Sequence, residues 1–559
     1  MDTIYDSRIA TAGFLIQNID YAFRAWQENS WSKTVSFNDF CEYILPYRID
    51  REIIESWRPE FYRLYSEAAC QLVDQEDEQS VYTHLIKEMS MTNISEMGEL
   101  HPLPIRISDL HEFRIGDCFQ IGIYQIMALR AAGLPATFDY TPIWANYGAS
   151  HYMVKLVDNK KPDKLLTNEN TIENTNLFFE SSSFYVNPTL SLFEKEKLPE
   201  NVEIQYIKTI PKVYRYTWSI QPERYEAQKA AKKDEYSGIF PLYHKDVTDE
   251  YLDCADITIT LSCDLSENAI AYLCVFNRGK WFPVALSLID ENKSAFFGKL
   301  GKNIVYLPAV SKDKQFEPAG TPFCIDNAGN VLEILPSETK KTDITLRSKY
   351  PFFAYTASHM KKVEGGWFEG ANKKDFSDAV TLFHVDYYPY YMQNIVISNS
   401  KEFRYFRFIR EQLYSLSELA FWTQNEARDT IRLEGTFFDL HGDNNPEYLR
   451  LSDNNLETFY ESVPRREAWI GLDLGEGRKE QLVKISFAPR NDANCIIPDN
   501  DYELYYWKDQ WISLGRQRAK ADNLYYTQVP EGALFWLKCH SGGKEERIFT
   551  YKNDLQNWW

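Results

Sequence analysis

The chain has 559 residues, 44% of them hydrophobic, and a formal net charge of −20. That hydrophobic share excludes a largely disordered chain, and the length suits roughly three or four domains. The acidic balance argues against a nucleic-acid or anionic-membrane partner, and no apolar run approaches the roughly 20 residues of a membrane-spanning helix.

Residues 1–100 read as helical. Ile9 to Trp26 and Ile53 to Asp74 carry apolar residues at helical spacing, and the polar run from Gln75 to Ser80 is a solvated turn. The first residues, Met1-Asp2-Thr3-Ile4, contain neither a basic segment nor a hydrophobic signal core. The expectation is an exported chain whose signal has been removed, with a cytoplasmic chain as the alternative.

Cys118 follows Gly116-Asp117 and opens a helix. Phe119, Ile123, Ile126, Met127 and Arg130 recur at helical spacings, and Gly133 with Pro135 stop the pattern. A cysteine in a first turn sits beside free backbone N–H groups and the positive end of the helix dipole. Both favour the thiolate, which is the nucleophile. The same N–H groups can hold a developing oxyanion. The segments 136–140 and 151–157 read as strands. His151, at the start of the second, is placed to act as general base and then general acid. A free cysteine also serves as a small buried hydrophobe, so a structural reading stays open.

From about residue 211 the texture turns to β. The run from Asp256 to Leu261 alternates with period two, and 268–276, 281–287 and 303–308 are further strands. Asp326 to Asn330 is a tight turn, Val331 to Leu335 the next strand, and Lys340 to Asp343 a linker or edge. Short strands punctuated by Gly, Pro and Asn indicate a sandwich. The runs 402–409, 417–422, 469–475, 483–490 and 502–507 continue the pattern. The expected fold class is multidomain α+β. Its parts are 1–210 (helices plus the thiol-site core), 211–345 (β-sandwich), 346–428 (β-rich) and 429–559 (β-sandwich).

The nine cysteines are an odd number, so at least one is free. There is no CxxC, zinc-type spacing, HExxH or Gly-rich phosphate loop, so no metal and no cofactor is expected. Cys539-His540 lacks a second chelating pair and reads as a strand cysteine. Aromatic residues make up 15%, with 37 Tyr and 14 Trp, which supplies surface for stacking on sugar rings as well as for sheet cores.

Gly116-Asp117-Cys118, the run 129–136, Pro142-x-Trp144-x-Asn146 and His151 resemble the transglutaminase-like core, a papain-like fold, over about residues 30–220. The stretches 35–48, Trp57-Arg58 and 212–215 are similar to those of large transglutaminase-like proteins of gut Bacteroidetes. The resemblance implies that Cys118 attacks an amide carbonyl and His151 shuttles the proton, with Trp144 and Asn146 either lining the cleft or making a structural turn. A third residue orients the imidazole. It is commonly Asp; here Glu180 is the first choice and Asn187 the second, ahead of Asn168 and Asp158. Where the family commonly carries His-x-Trp, His151 is followed by Tyr152 and Met153. The implied substrate is a peptide, glycopeptide or cell-wall peptide. Relatives of this kind are exported, often as lipoproteins, to the cell surface or periplasm.

Asp453-x-x-x-x-Thr458 and Trp469-x-x-Leu472-Asp473-Leu474-Gly475 resemble the opening half of a discoidin-like, galactose-binding-like jelly roll. The runs 402–409 and 417–422 resemble its closing strands. That fold implies a glycan bound by loops at one end. Two functions therefore compete: a thiol-dependent amide hydrolase or acyl transferase, and a catalytically degenerate carbohydrate-binding surface protein. A spacer with no ligand is the third.

Overall fold

The computed structural model describes residues 5–70, 77–93, 106–158, 165, 168–169, 193–200, 202–231, 239–262, 269–313, 315–463, 467–543 and 545–559. It is a mixed α+β protein with several antiparallel sheets. The chain divides into two compact units: Met1–Val186 with Lys208–Glu333, and Asn187–Ile207 with Ile334–Trp559.

Helix α1 (Ala12–Glu28) in the first unit is capped by Thr11, whose Oγ1 accepts from the Phe14 N–H at 3.2 Å. The second helix predicted in this region begins at Arg58, five residues late, because Pro59 is suited only to a first turn. It passes through a π-turn at Tyr62–Ser66. Arg58 is fully buried and donates to Asn18 Oδ1 and to the carbonyls of Ile44, Leu45 and Pro46. A buried guanidinium that donates to this many acceptors ties the chain segments around it together.

Helix α2 (Cys118–Ala131) is the centre of this unit. Asp117 Oδ1 accepts from the Gln120 N–H at 2.8 Å and Gln120 Oε1 accepts from the Asp117 N–H at 3.1 Å, a reciprocal capping box. Every residue from Gln120 to Ala131 is buried, so the helix is enclosed around its whole circumference, with Gln120, Gln125 and Arg130 as its buried polar members. Gly133 ends it with φ +79, where a Cβ would collide with the Ala25 carbonyl.

Strands β1 (Ala136–Thr141), β2 (His151–Leu156), β3 (Tyr214–Tyr216) and β4 (His244–Asp246) form an antiparallel sheet in the order β2-β1-β3-β4. Thr141 pairs with His151 and Tyr140 with Tyr152. Alternation then puts Tyr152, Val154 and Leu156 on the face covered by α2, and His151 and Met153 on the other. On the α2 face the core contains Ile123, Ile126, Phe138 and Val154; on the other, Trp144, Met153, Ile210 and Val213. The buried Asp139 carboxylate accepts hydrogen bonds from Arg215 Nε and Nη2, at 2.8 and 2.7 Å. The thiol-site sheet therefore extends to residue 246, past the expected boundary at 210.

From Cys254 onward the described elements of this unit are strands. One sheet holds Ile270–Asn277, Lys280–Leu288, Val305–Lys312 and shorter strands; Cys254–Thr260 pairs with Ser294–Gly301. Residues of both groups share one apolar core, including Ile257, Leu273, Val275, Phe297 and Tyr306.

In the second unit, Val380–His384, Trp367–Ala371, Tyr405–Arg410, Ala468–Asp473 and Thr436–Phe438 form one five-stranded sheet. A second contains Gln393–Val396, Lys484–Pro489, Ser415–Gln424 and Thr430–Arg432. Both contribute to one core, with Phe368, Phe406, Leu419, Phe421, Ile470 and Phe487. Strands on either side of the expected 428/429 boundary thus pair with one another. A third sheet runs Gln510–Arg518, Asp501–Lys508, Phe535–Cys539, Ile548–Lys552, Leu555–Trp558. Its core also includes Ile344 and Leu346 from Lys341–Leu346, a strand that begins within the linker or edge expected at Lys340–Asp343 and pairs with Leu524–Pro530.

Candidate functional site

Cys118 is the first residue of α2. Its sulfur receives the backbone N–H groups of Tyr152 and Phe119. Among the described strands β2 is at the sheet edge, which leaves the outward Tyr152 N–H available to it. Burial and the adjacent Asp117 carboxylate nevertheless push the thiol above its ordinary pKa. The desolvation of a thiolate here outweighs what these N–H groups return.

His151 opens β2 on the opposite face and stacks on Trp144, with ring centroids 5.8 Å apart and planes at 27°. Burial, with Lys208 adding to it, pushes its pKa down to about 4. Lys208 itself is pushed down to about 8 by burial, and its ammonium lies 3.5 Å from the Tyr147 ring centroid. The structure therefore brings Cys118 together with Tyr152, and His151 together with Trp144.

Trp144 and Asn146 are both buried. The Trp144 carbonyl accepts from Asn277 Nδ2 at 2.8 Å, and Asn146 Oδ1 accepts from the Thr209 N–H at 2.8 Å. Both anchor the loop between β1 and β2. Asn168 is likewise buried and bridges the backbone of Ile210 and Lys302, each at 3.0 Å. Asp158 forms an ion pair with Lys155 at 3.5 Å. Glu180 and Asn187 lie outside the described residues. Among the described residues, no group of three or more His, Cys, Asp or Glu is arranged to hold a metal ion.

Next to the start of α2 is a cleft of about 940 Å³. Phe119, Tyr140, Tyr152, Tyr216 and His244 line it, and none of the last four was expected from the sequence as a site residue. The Tyr140 hydroxyl and His244 Nδ1 are 2.7 Å apart, and the Tyr140 and Tyr152 rings stack at 5.1 Å and 10°. The Tyr152 and Tyr216 rings meet edge-on with centroids 6.4 Å apart. Burial raises Tyr152 to about 12 and raises Tyr140 and Tyr216 further; burial and the Arg224 charge lower His244 to about 3. These groups are all uncharged at neutral pH. Charged residues also line the cleft: the Asp6–Arg48 ion pair, Asp50 and Arg51. So do two exposed aromatics, Trp218 (45%) and Tyr243 (48%).

The position of Tyr152 follows from alternation along β2 once the face covered by α2 is known. Tyr216 and His244 reach the cleft through the pairing of β3 with β4, where they are direct partners. That pairing joins segments separated by 27 residues, and local periodicity carries no signal for it. Comparison with protein-family models and with curated proteins finds no match for this sequence.

Proposed function

We propose that the protein is a carbohydrate-binding protein built on a transglutaminase-like core that has lost its acyl-transfer chemistry. The ligand occupies the tyrosine-lined cleft. One observation carries this reading: the side chain on the thiol side of β2 is a neutral tyrosine in an aromatic wall, where a thiol enzyme needs a base. A sugar ring presents C–H faces and hydroxyls that both donate and accept. Aromatic rings, uncharged hydroxyls and a neutral imidazole match both properties. The volume falls within the range of small-molecule sites and suits a short oligosaccharide.

The test is a glycan array on the intact chain, followed by calorimetry on the best ligand. Trp218→Ala is expected to weaken binding about tenfold, the scale of one lost stacking contact, and Cys118→Ala to leave it unchanged. Absence of glycan binding, or binding that ignores Trp218, sinks the reading.

A thiol hydrolase or acyl transferase is the second reading. It is favoured by the N–H groups of Phe119 and Tyr152 converging on the Cys118 sulfur at a capped helix start. Iodoacetamide alkylation separates the two. The binding reading expects slow modification below pH ~8, as for an unactivated thiol, and the same profile in His151→Ala. Fast modification below neutral pH that His151→Ala slows establishes the enzyme instead.

A further inference from the structure

The second unit holds a smaller cavity of about 250 Å³. It is lined by Trp558, Tyr551 and Tyr390 together with Arg347, Glu203 and Asp554. We propose that it is a second binding site, for a single uncharged pyranose ring. The proposal is independent of the cleft reading, since none of these residues lines the cleft.

Two of the aromatic rings are fixed in place. Trp558 packs against Phe549 with centroids 5.2 Å apart, and Tyr390 meets Phe352 edge-on at 5.1 Å. A platform held this way loses little freedom when a ring stacks on it. The hairpin turn before Trp558 has Asn553 and Asp554 both at positive φ, 54 and 60, which is the conformation of a tight two-residue turn, and it sets Asp554 at the cavity.

The polar groups are also prepared. The Gln556 side chain accepts from the Arg347 N–H at 3.0 Å and donates to the Ser348 carbonyl at 3.1 Å, which fixes the backbone beneath the guanidinium. The Arg347–Asp522 ion pair is 3.8 Å long, beyond hydrogen-bonding distance, so the guanidinium retains donors for a ligand. The Tyr551 hydroxyl accepts from the Thr345 N–H at 3.2 Å and keeps its own proton to donate.

These groups specify the ligand class. One guanidinium and two carboxylates in so small a space oppose a strongly charged ligand of either sign. A polyol can accept from the first and donate to the others, in charge-assisted hydrogen bonds. The cavity is smaller than typical drug-sized sites, which limits the ligand to about one ring. That ring is a free monosaccharide or the end unit of a glycan.

The experiment is ligand-observed NMR with tryptophan fluorescence on the intact chain, using a panel of methyl pyranosides. Saturable binding of at least one is expected. Arg347→Gln and Glu203→Gln, both on half-exposed or exposed side chains, should each raise Kd about tenfold without moving the thermal midpoint. Trp558→Ala should remove binding, and Trp218→Ala should leave it unchanged. Equal affinity for an oligosaccharide ending in the same ring supports the site and identifies a chain end; loss in the oligosaccharide supports it and identifies the free sugar. No saturable binding across the panel, or a Kd left unchanged in both Arg347→Gln and Glu203→Gln, overturns the proposal.

Discussion

The chemistry at Cys118 is decided by two competing effects at one residue. A helix start favours the thiolate, while burial and the Asp117 carboxylate oppose it and prevail. Asp117→Asn isolates the charge, because Asn caps a helix as well as Asp does. The expected outcome is alkylation of Cys118 a few-fold faster at mildly alkaline pH, with the thermal midpoint unchanged; an unaltered rate would show that burial alone sets the thiol. His244 makes a second prediction. Its folded pKa of about 3 lies below the unfolded value of about 6.5, so the unfolded chain binds the proton first as pH falls. The neutral imidazole therefore contributes full stability above pH ~6.5, and this is lost progressively between ~6.5 and ~3. His151, at about 4, adds to the loss in the same window. Thermal midpoints measured across it should fall, and should fall less steeply in His244→Gln. The thiol and the histidine are visible in the sequence as residue types. Their placement on opposite faces of the sheet is not, because it depends on which face of β2 the helix covers.

At the scale of elements, α2 was legible almost to the residue. The Asp117 cap, the apolar run and Gly133 are local signals that tertiary packing leaves intact. Gly133→Ala should therefore destabilise the first unit by about 2–4 kcal/mol, since a left-handed backbone and a collision with the Ala25 carbonyl act together. Gly13→Ala is the counterpart: it lies in α1 with open space around its Cβ position, and should stabilise by up to about 1 kcal/mol. Paired urea titrations check both, and equal effects would mean that helix propensity, not packing, governs each site. The individual strands were legible for the same local reason. Ile270–Asn277 and Tyr405–Arg410 coincide with predicted runs within a few residues. Their grouping was not. Lys341–Leu346 finds its partner at Leu524–Pro530, almost two hundred residues on, and Thr436–Phe438 pairs with Ala468–Asp473 in the same sheet as Tyr405–Arg410. Alternation shows that a segment is a strand but not which strand it meets, so boundaries drawn from texture cut through one pair of sheets.

At the scale of the whole molecule, the acidic charge and the two cavities bear on the proposed sugar ligand. A net charge of −20 repels anionic polysaccharides at a distance, so a sugar ligand is best served by neutral hydrogen bonding and stacking, which salt barely screens. Binding to a neutral glycan should accordingly hold nearly constant as salt rises, while binding that collapses with salt would indicate a charged ligand. If each unit carries a sugar site, a surface that displays many copies of the ligand engages both, and the second contact forms at a high effective concentration. Affinity for an immobilised neutral polysaccharide should then exceed that for the free short saccharide by about 10²–10⁴. Interferometry on Trp218→Ala, Arg347→Gln and the double variant tests the coupling. Each single variant should lower the avid affinity about tenfold, the factor by which its own site is weakened. The double variant should lose about a hundredfold, the product of the two. Single variants that keep the full avid affinity would mean that only one of the cavities takes sugar.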